Sequence, residues 1–140
     1  MSRERGFAFE SDFVRRANDR GHRAFRVKGH KPHDVLVDGV RVQCKSKQFV
    51  DHGRVRIAKG QKKYRRGDWD VLALDFRGTL FLIPETLLRT SRGTLLTVIR
   101  PRFFRRWIEA WQVFSGKALQ QHDQQQTLFD CEEATYGTHS

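Results

Sequence analysis

The dipeptide Asp38-Gly39 constrains the fold of this chain more than any other feature. It separates Asp34-Val35-Leu36-Val37 from Val40-Arg41-Val42-Gln43-Cys44-Lys45. Asp-Gly between two β-branched runs is a strong sign of a two-residue hairpin, since the type I′ loop needs positive φ at both turn positions and this pair accepts it. With that loop, Val37 faces Val40, Val35 faces Val42, and Asp34 comes to lie directly opposite Gln43. Side chains alternate along a strand, so Asp34, Gln43 and Lys45 share one face. Val35, Val37, Val40, Val42 and Cys44 make an uninterrupted apolar surface on the other.

The rest of the chain reads around this hairpin. Phe9, Phe13 and Ala17 recur every four residues, with Phe7 and Val14 widening the stripe, which predicts a helix over 4–20 stopped by Gly21. Ala24 and Phe25 lead a short strand toward Val27, and Gly29-His30-Lys31-Pro32-His33 is a loop. Residues 46–66 are polar and basic, and predict a loop and a short helix. Asp70–Phe76 and Thr79–Ile83 are strands joined at Arg77-Gly78, Pro84–Leu88 suits a helical turn, and Thr94–Ile99 reads as one more strand. Pro101 opens a helix to about Phe114, with Phe103, Trp107, Trp111 and Phe114 on one stripe and Phe104 and Ile108 flanking it. That stripe reads as core rather than as a base-stacking surface. The expectation is an α/β fold with a mixed central sheet flanked by helices, in one domain over 1–115. A polar, Gln-rich tail over 116–140 is expected to be disordered.

Charge limits the partners. Among 140 residues, 27 Lys and Arg stand against 16 Asp and Glu, a net charge of +11, which makes a polyanion the default partner. The 11 Phe and 3 Trp supply a core for one domain. No apolar run approaches the roughly 18 residues of a membrane span. The start, MSRERGFAFESDF, lacks an apolar signal core, and Cys44 and Cys131 form no CxxC pair. The expectation is an intracellular, cytoplasmic protein, with no zinc site and no disulfide framework.

Chemistry concentrates on the polar face of the hairpin. Asp34 sits beside Gln43 and Lys45, and a second carboxylate, Glu10, lies on the first helix. Oxygen donors of this kind suit a hard divalent cation such as Mg²⁺. A lysine beside the cation can orient a water or stabilise the charge that develops on a phosphate. Taken singly, Asp34 reads as a turn residue, Lys45 as a solvated lysine and Glu10 as an exposed helix residue. Their coincidence points to a phosphodiester-hydrolysing site.

At these residues the chain resembles the PD-(D/E)XK nuclease superfamily. Pro32-His33-Asp34 stands at the PD element, and Gln43-Cys44-Lys45 at the (D/E)-x-K element, with eight residues between Asp34 and Gln43. The order of elements is most similar to archaeal Holliday junction resolvases. Arg5-Gly6-Phe7-Ala8-Phe9-Glu10 is similar to their Arg-Gly-x-x-x-Glu start, and Lys45-Ser46-Lys47 to their Lys-Ser-basic run. The resemblance covers residues 3–90 and implies a restriction-endonuclease-like core. Gln43 departs from it, since an acid is expected there. A minority of the superfamily carries Gln, including one group of intron-encoded homing endonucleases. The resemblance implies Asp34 as the bridging metal ligand, with Gln43, the main-chain carbonyl of Cys44, and Glu10 completing the set, and Lys45 as the catalytic lysine. It also implies Mg²⁺, with Mn²⁺ as a substitute, and a homodimer.

Beyond the motif, Arg41 to Arg66 holds ten Lys or Arg against one acid, Asp51. Lys31, Lys47, Lys59, Lys62, Lys63, Arg65 and Arg66 are the candidate DNA-phosphate contacts, and Arg100, Arg102, Arg105 and Arg106 form a second basic group. In the tail, Gln125, Leu128 and Phe129 are similar to the pentapeptide that docks bacterial proteins on the sliding clamp. The function expected is a Mg²⁺-dependent DNA endonuclease acting on branched DNA. A homing or restriction-type endonuclease, and a nuclease-like DNA-binding module without catalysis, stand as alternatives. A basic RNA-binding protein would leave the alignment of Asp34, Gln43 and Lys45 unexplained.

Overall fold

Strands β2 (Val35–Val37) and β3 (Val40–Lys47) pair antiparallel across Asp38-Gly39, with Val35 opposite Val42, Leu36 opposite Arg41 and Val37 opposite Val40. Asp38 has φ 51° and Gly39 φ 82°, the two left-handed positions that this turn requires. Asp38 is tied down on three sides. Its carboxylate accepts the Arg23 amide at 2.8 Å and lies 2.7 Å from His22 Nδ1, and its own N–H donates to the Arg23 carbonyl at 2.9 Å. A computed structural model describes residues 2–29, 33–48, 52–57 and 68–115 of the chain.

Helix α1 (Ser2–Asp19) precedes the hairpin and packs on β1 (Ala24–Arg26), β2 and β3. Its inward positions are Phe13 and Ala17, both fully buried, with Phe9 and Val14 partly covered. Phe7, assigned to this stripe by its spacing, is instead 56% exposed.

The main sheet runs β1-β2-β3-β5-β6, where β5 is Val71–Phe76 and β6 is Thr79–Pro84. β3 and β5 pair parallel, with Gln43 beside Leu72 and Lys45 beside Leu74, while the other pairings are antiparallel. The sheet is therefore mixed, as expected. Val71, Leu72, Ala73 and Leu74 are all fully buried although their side chains alternate between faces, so β5 is covered on both sides. Each such Val or Leu contributes roughly 1.5–3 kcal/mol of burial.

The Arg77-Gly78 turn repeats the hairpin logic, with φ 53° and 88°. Asp75 holds it by accepting the Gly78 amide at 2.9 Å, and also takes the Ser46 hydroxyl at 3.0 Å.

Three segments differ from their sequence reading. Within the 46–66 stretch expected to be a loop and a short helix, β3 runs on to Lys47 and β4 (Val55–Arg56) pairs with β7 (Val98–Ile99) as a separate ribbon, while 49–51 and 58–66 lie outside the described residues. The strand expected over 94–99 keeps only Val98–Ile99, and Leu95 makes a separate antiparallel bridge with Arg89. The helix expected over 101–114 is 3₁₀ structure over Pro101–Trp107, itself kinked at Phe104 (φ -118°), and over Trp111–Phe114. The break falls at Glu109, whose φ is 50° and whose N–H donates to the Leu80 carbonyl of β6 at 2.9 Å. Pairing with the sheet edge thus overrides helical continuation. Of the stripe, Trp107, Trp111 and Phe114 are buried and Phe103 is partly buried against the core, while of the flanking residues Phe104 is buried and Ile108 is exposed.

Glu109 also closes the domain around α1. Its carboxylate takes two hydrogen bonds from Arg16 at 2.6 and 2.7 Å and one from Trp111 Nε1 at 3.0 Å. Trp111 stacks on Phe13 at 5.5 Å. Burial opposes ionisation of Glu109, yet the Arg16 and Trp111 hydrogen bonds hold its carboxyl below the ordinary value.

Candidate active site

The regular ladder of the hairpin ends at Val35 and Val42. Just beyond it, the Asp34 N–H also donates to the Val42 carbonyl at 2.9 Å, so two consecutive residues face one, as in a β-bulge. Asp34 is thereby re-aimed. Instead of standing directly opposite Gln43, its Oδ2 accepts the backbone N–H of Cys44 at 2.9 Å.

That hydrogen bond fixes the direction of the Cys44 carbonyl. In an extended strand the N–H and C=O of one residue lie on the same edge, because an antiparallel pair exchanges both bonds. The Arg41 and Lys47 carbonyls serve the β5 side, accepting from Asp70 and Arg77. Val42 and Cys44 therefore present their backbone groups toward Asp34, and the Cys44 carbonyl lies on the side expected of a ligand.

Gln43 is 6% exposed, and its Oε1 is buried without a hydrogen-bond partner among the described residues. The interior explains why an amide stands here: a neutral group costs far less to bury beside Leu72 than a carboxylate. Glu10, on α1, reaches the same place. Burial first, and the negative Asp34 second, push its carboxyl above the ordinary value, against the pull of Arg26. Lys45 is half-buried two positions beyond Gln43 on the same strand face. Burial, Asp34 and Glu10 together push the Cys44 thiol well up, so it stays protonated and inert, and only its backbone is a candidate donor.

The structure thus brings Asp34 onto the Cys44 backbone and within charge range of Glu10, while Gln43 and Lys45 follow on the adjoining strand β3. Lys47 lies half-buried at the end of β3. Lys31, Lys59, Lys62, Lys63, Arg65 and Arg66 lie outside the described residues, as do Gln125, Leu128 and Phe129 of the tail. Arg102, Arg105 and Arg106 are exposed on the 3₁₀ segment.

Arg26 was not singled out by the sequence. Its Nε is 3.6 Å from Glu10 Oε1, and its guanidinium carbon lies 3.8 Å from the centroid of the Phe7 ring. The available signal was register: Arg26 pairs with Val35, the neighbour of Asp34.

The donor set fits a hard divalent cation. Among the described residues no three His, Cys, Asp or Glu side chains cluster. The two carboxylates would need other oxygens beside them, and the orphaned Gln43 carbonyl and the Cys44 backbone carbonyl are the candidates. Two mutually repelling acids and an unsatisfied buried acceptor are what a cation would relieve.

The chain shares its fold with a bacterial homing endonuclease, I-Ssp6803I. The likeness has a TM-score of 0.64 and spans 89% of this chain and 98% of that one, at 18% sequence identity. The α/β core with its mixed five-stranded sheet is a restriction-endonuclease-like fold. No protein-family profile matches the chain, and no curated protein sequence does. Among the described residues no helix is long and apolar enough to cross a membrane.

Proposed function

We propose that the chain is a divalent-metal-dependent DNA endonuclease of the homing or restriction type, cutting duplex DNA. The observation that carries this reading is the buried, unpartnered Oε1 of Gln43 next to the hydrogen bond between Asp34 and Cys44. A buried acceptor left unsatisfied costs on the order of 1–3 kcal/mol, and a bound cation would offset that cost. Likeness of fold to a homing endonuclease supports the same reading.

In this account Asp34, Gln43 Oε1, the Cys44 carbonyl and Glu10 would hold Mg²⁺, or Mn²⁺ in its place. The cation would supply positive charge to offset the charge developing on the phosphate. Lys45 holds a water, or the scissile phosphate, on the open side of the site. The Cys44 amide fixes one Asp34 oxygen, which leaves the other to turn outward. Lys31, Lys47, Lys59, Lys62, Lys63, Arg65 and Arg66 bind the DNA backbone and give affinity rather than sequence choice. A homodimer would place two such sites on two strands.

A second reading, cleavage of branched DNA, rests on the similarity of Arg5–Glu10 and Lys45–Lys47 to resolvase motifs. Docking of Gln125, Leu128 and Phe129 on a sliding clamp belongs with it. One experiment separates the readings. The purified protein is incubated with Mg²⁺ and a randomised duplex library, and in parallel with four-way, nicked and flap DNA. Cleavage of a sequence subset of the duplexes supports the homing or restriction type, and cutting at the branch supports the resolvase. Binding without any cleavage overturns both in favour of an inactive DNA-binding module.

A further inference from the structure

We propose that Arg26 is the resident cation of this site, a positioning residue that holds Glu10 beside Asp34 before a metal arrives and then competes with the metal for it. The inference rests on the metal-dependent reading above.

Arg26 occupies β1 opposite Val35, which places it one residue from Asp34 across the sheet. Its Nε is buried and has no hydrogen-bond partner among the described residues. At 3.6 Å from Glu10 Oε1 that nitrogen is too far for a hydrogen bond and close enough for a charge interaction, which pulls the Glu10 carboxyl down against burial and Asp34. A guanidinium in this position is held from the other side. Its carbon sits 3.8 Å from the centroid of the Phe7 ring, and Phe7 is one helical turn before Glu10 on α1. This explains why an exposed Phe stands where the helix stripe predicts a buried one: the ring braces Arg26.

The charges account for the pairing. Glu10 and Asp34 carry two negative charges, Arg26 and Lys45 two positive ones, and Gln43 none. With an amide at position 43 the set balances without a metal. A divalent cation that binds Glu10 must displace the Arg26 interaction, so Arg26 sets how much metal the site needs.

The test is thermal melting of the full chain across a Mg²⁺ titration at low salt, where screening is least. Wild type is compared with Arg26→Gln and Arg26→Lys. Arg26→Gln is expected to melt lower than wild type without metal, and to gain more on adding Mg²⁺. Its half-saturating Mg²⁺ concentration should fall on the order of threefold to tenfold. Arg26→Lys keeps the charge and should track wild type. Should Arg26→Gln not fold, Phe7→Ala, at an exposed position, loosens the same guanidinium, and Mn²⁺ binding followed by electron paramagnetic resonance should tighten. Equal Mg²⁺ responses in wild type and Arg26→Gln, or unchanged or weaker Mn²⁺ binding in Phe7→Ala, would overturn the role of Arg26 alone. Absence of any cation response in every protein, wild type included, would overturn it together with the metal-dependent reading.

Discussion

The Asp34 carboxylate accepts the Cys44 amide at 2.9 Å, across the point where the β2–β3 ladder gives out. One side chain thus finishes the hairpin and faces the candidate metal site. The two roles can be separated by substitution. Asp34→Asn keeps an oxygen for the Cys44 N–H and removes the charge. It should melt within about 0.5 kcal/mol of wild type and lose cleavage about a hundredfold or more. Asp34→Ala leaves the Cys44 N–H unsatisfied and should cost a further 1–3 kcal/mol or so. Denaturant melts beside a cleavage assay read both. An Asp34→Asn variant that cuts at the wild-type rate would remove Asp34 from the site.

Gln43 should trade stability against activity. Gln43→Leu deletes a buried, unsatisfied carbonyl and keeps an apolar body beside Leu72, so the metal-free protein should be as stable as wild type or more stable. Cleavage should be abolished. Gln43→Glu should lower the Mg²⁺ concentration needed for cutting, because a charged oxygen replaces a neutral one. A Gln43→Leu protein that is destabilised by several kcal/mol would mean the amide has a structural partner.

Glu10 carries a pH dependence of definite sign. Its folded-state carboxyl is raised above its unfolded value, by burial first and by Asp34 second. Protonated Glu10 therefore favours folding, and that contribution is present at low pH and lost as pH rises through its folded value. Glu10→Gln should remove the loss, so the metal-free variant melts higher than wild type at neutral pH and cuts about a hundredfold more slowly or worse. Melting curves from pH 4 to pH 8 check this, about the ordinary carboxylate range. A Glu10→Gln protein less stable than wild type at pH 7 contradicts it.

Glu109 has the opposite sign. Arg16 and Trp111 hold its carboxyl down against burial, so its contribution is complete above the ordinary carboxylate value and lost as pH falls through the lowered one. Glu109→Ala should cost about 1 kcal/mol at neutral pH, since solvent screens a side chain 37% exposed, and converge on wild type in acid. Glu109→Gly gives up the same hydrogen bonds but relieves a φ of 50°, so it should be about 1 kcal/mol more stable than Glu109→Ala.

Much of this site was legible because its parts are local. Asp38-Gly39 dictates its own turn, the turn dictates register, and register places Gln43 and Lys45 on one face. What escaped depends on interactions between distant segments. Arg26 becomes part of the site through β1 pairing and through Phe7, neither of which leaves a periodic signal. The bulge that turns Asp34 toward Cys44 is a one-residue event with no composition mark. The 101–114 segment has helical spacing, but Glu109 is captured by Leu80 and Arg16, and tertiary bonding breaks the helix there.

The basic run offers a test independent of the chemistry. Replacing Lys62, Lys63, Arg65 and Arg66 with Ala should weaken binding to all DNA and flatten its salt dependence. The slope should fall by about 0.9 for each DNA phosphate that is no longer neutralised. Filter binding from low to moderate salt measures it, and an unchanged slope would assign these residues to solvent.

The central claim is that Asp34, Gln43 and Lys45 form one metal-dependent cutting site. Sequencing the cleaved ends from a randomised duplex library tests it most directly, with wild type, Asp34→Asn and Lys45→Ala each incubated with Mg²⁺ or with EDTA. Only wild type in Mg²⁺ should yield cut ends, while both variants still retard the same DNA on gels. Cut ends from either variant at the wild-type level, or from wild type in EDTA, would contradict the account.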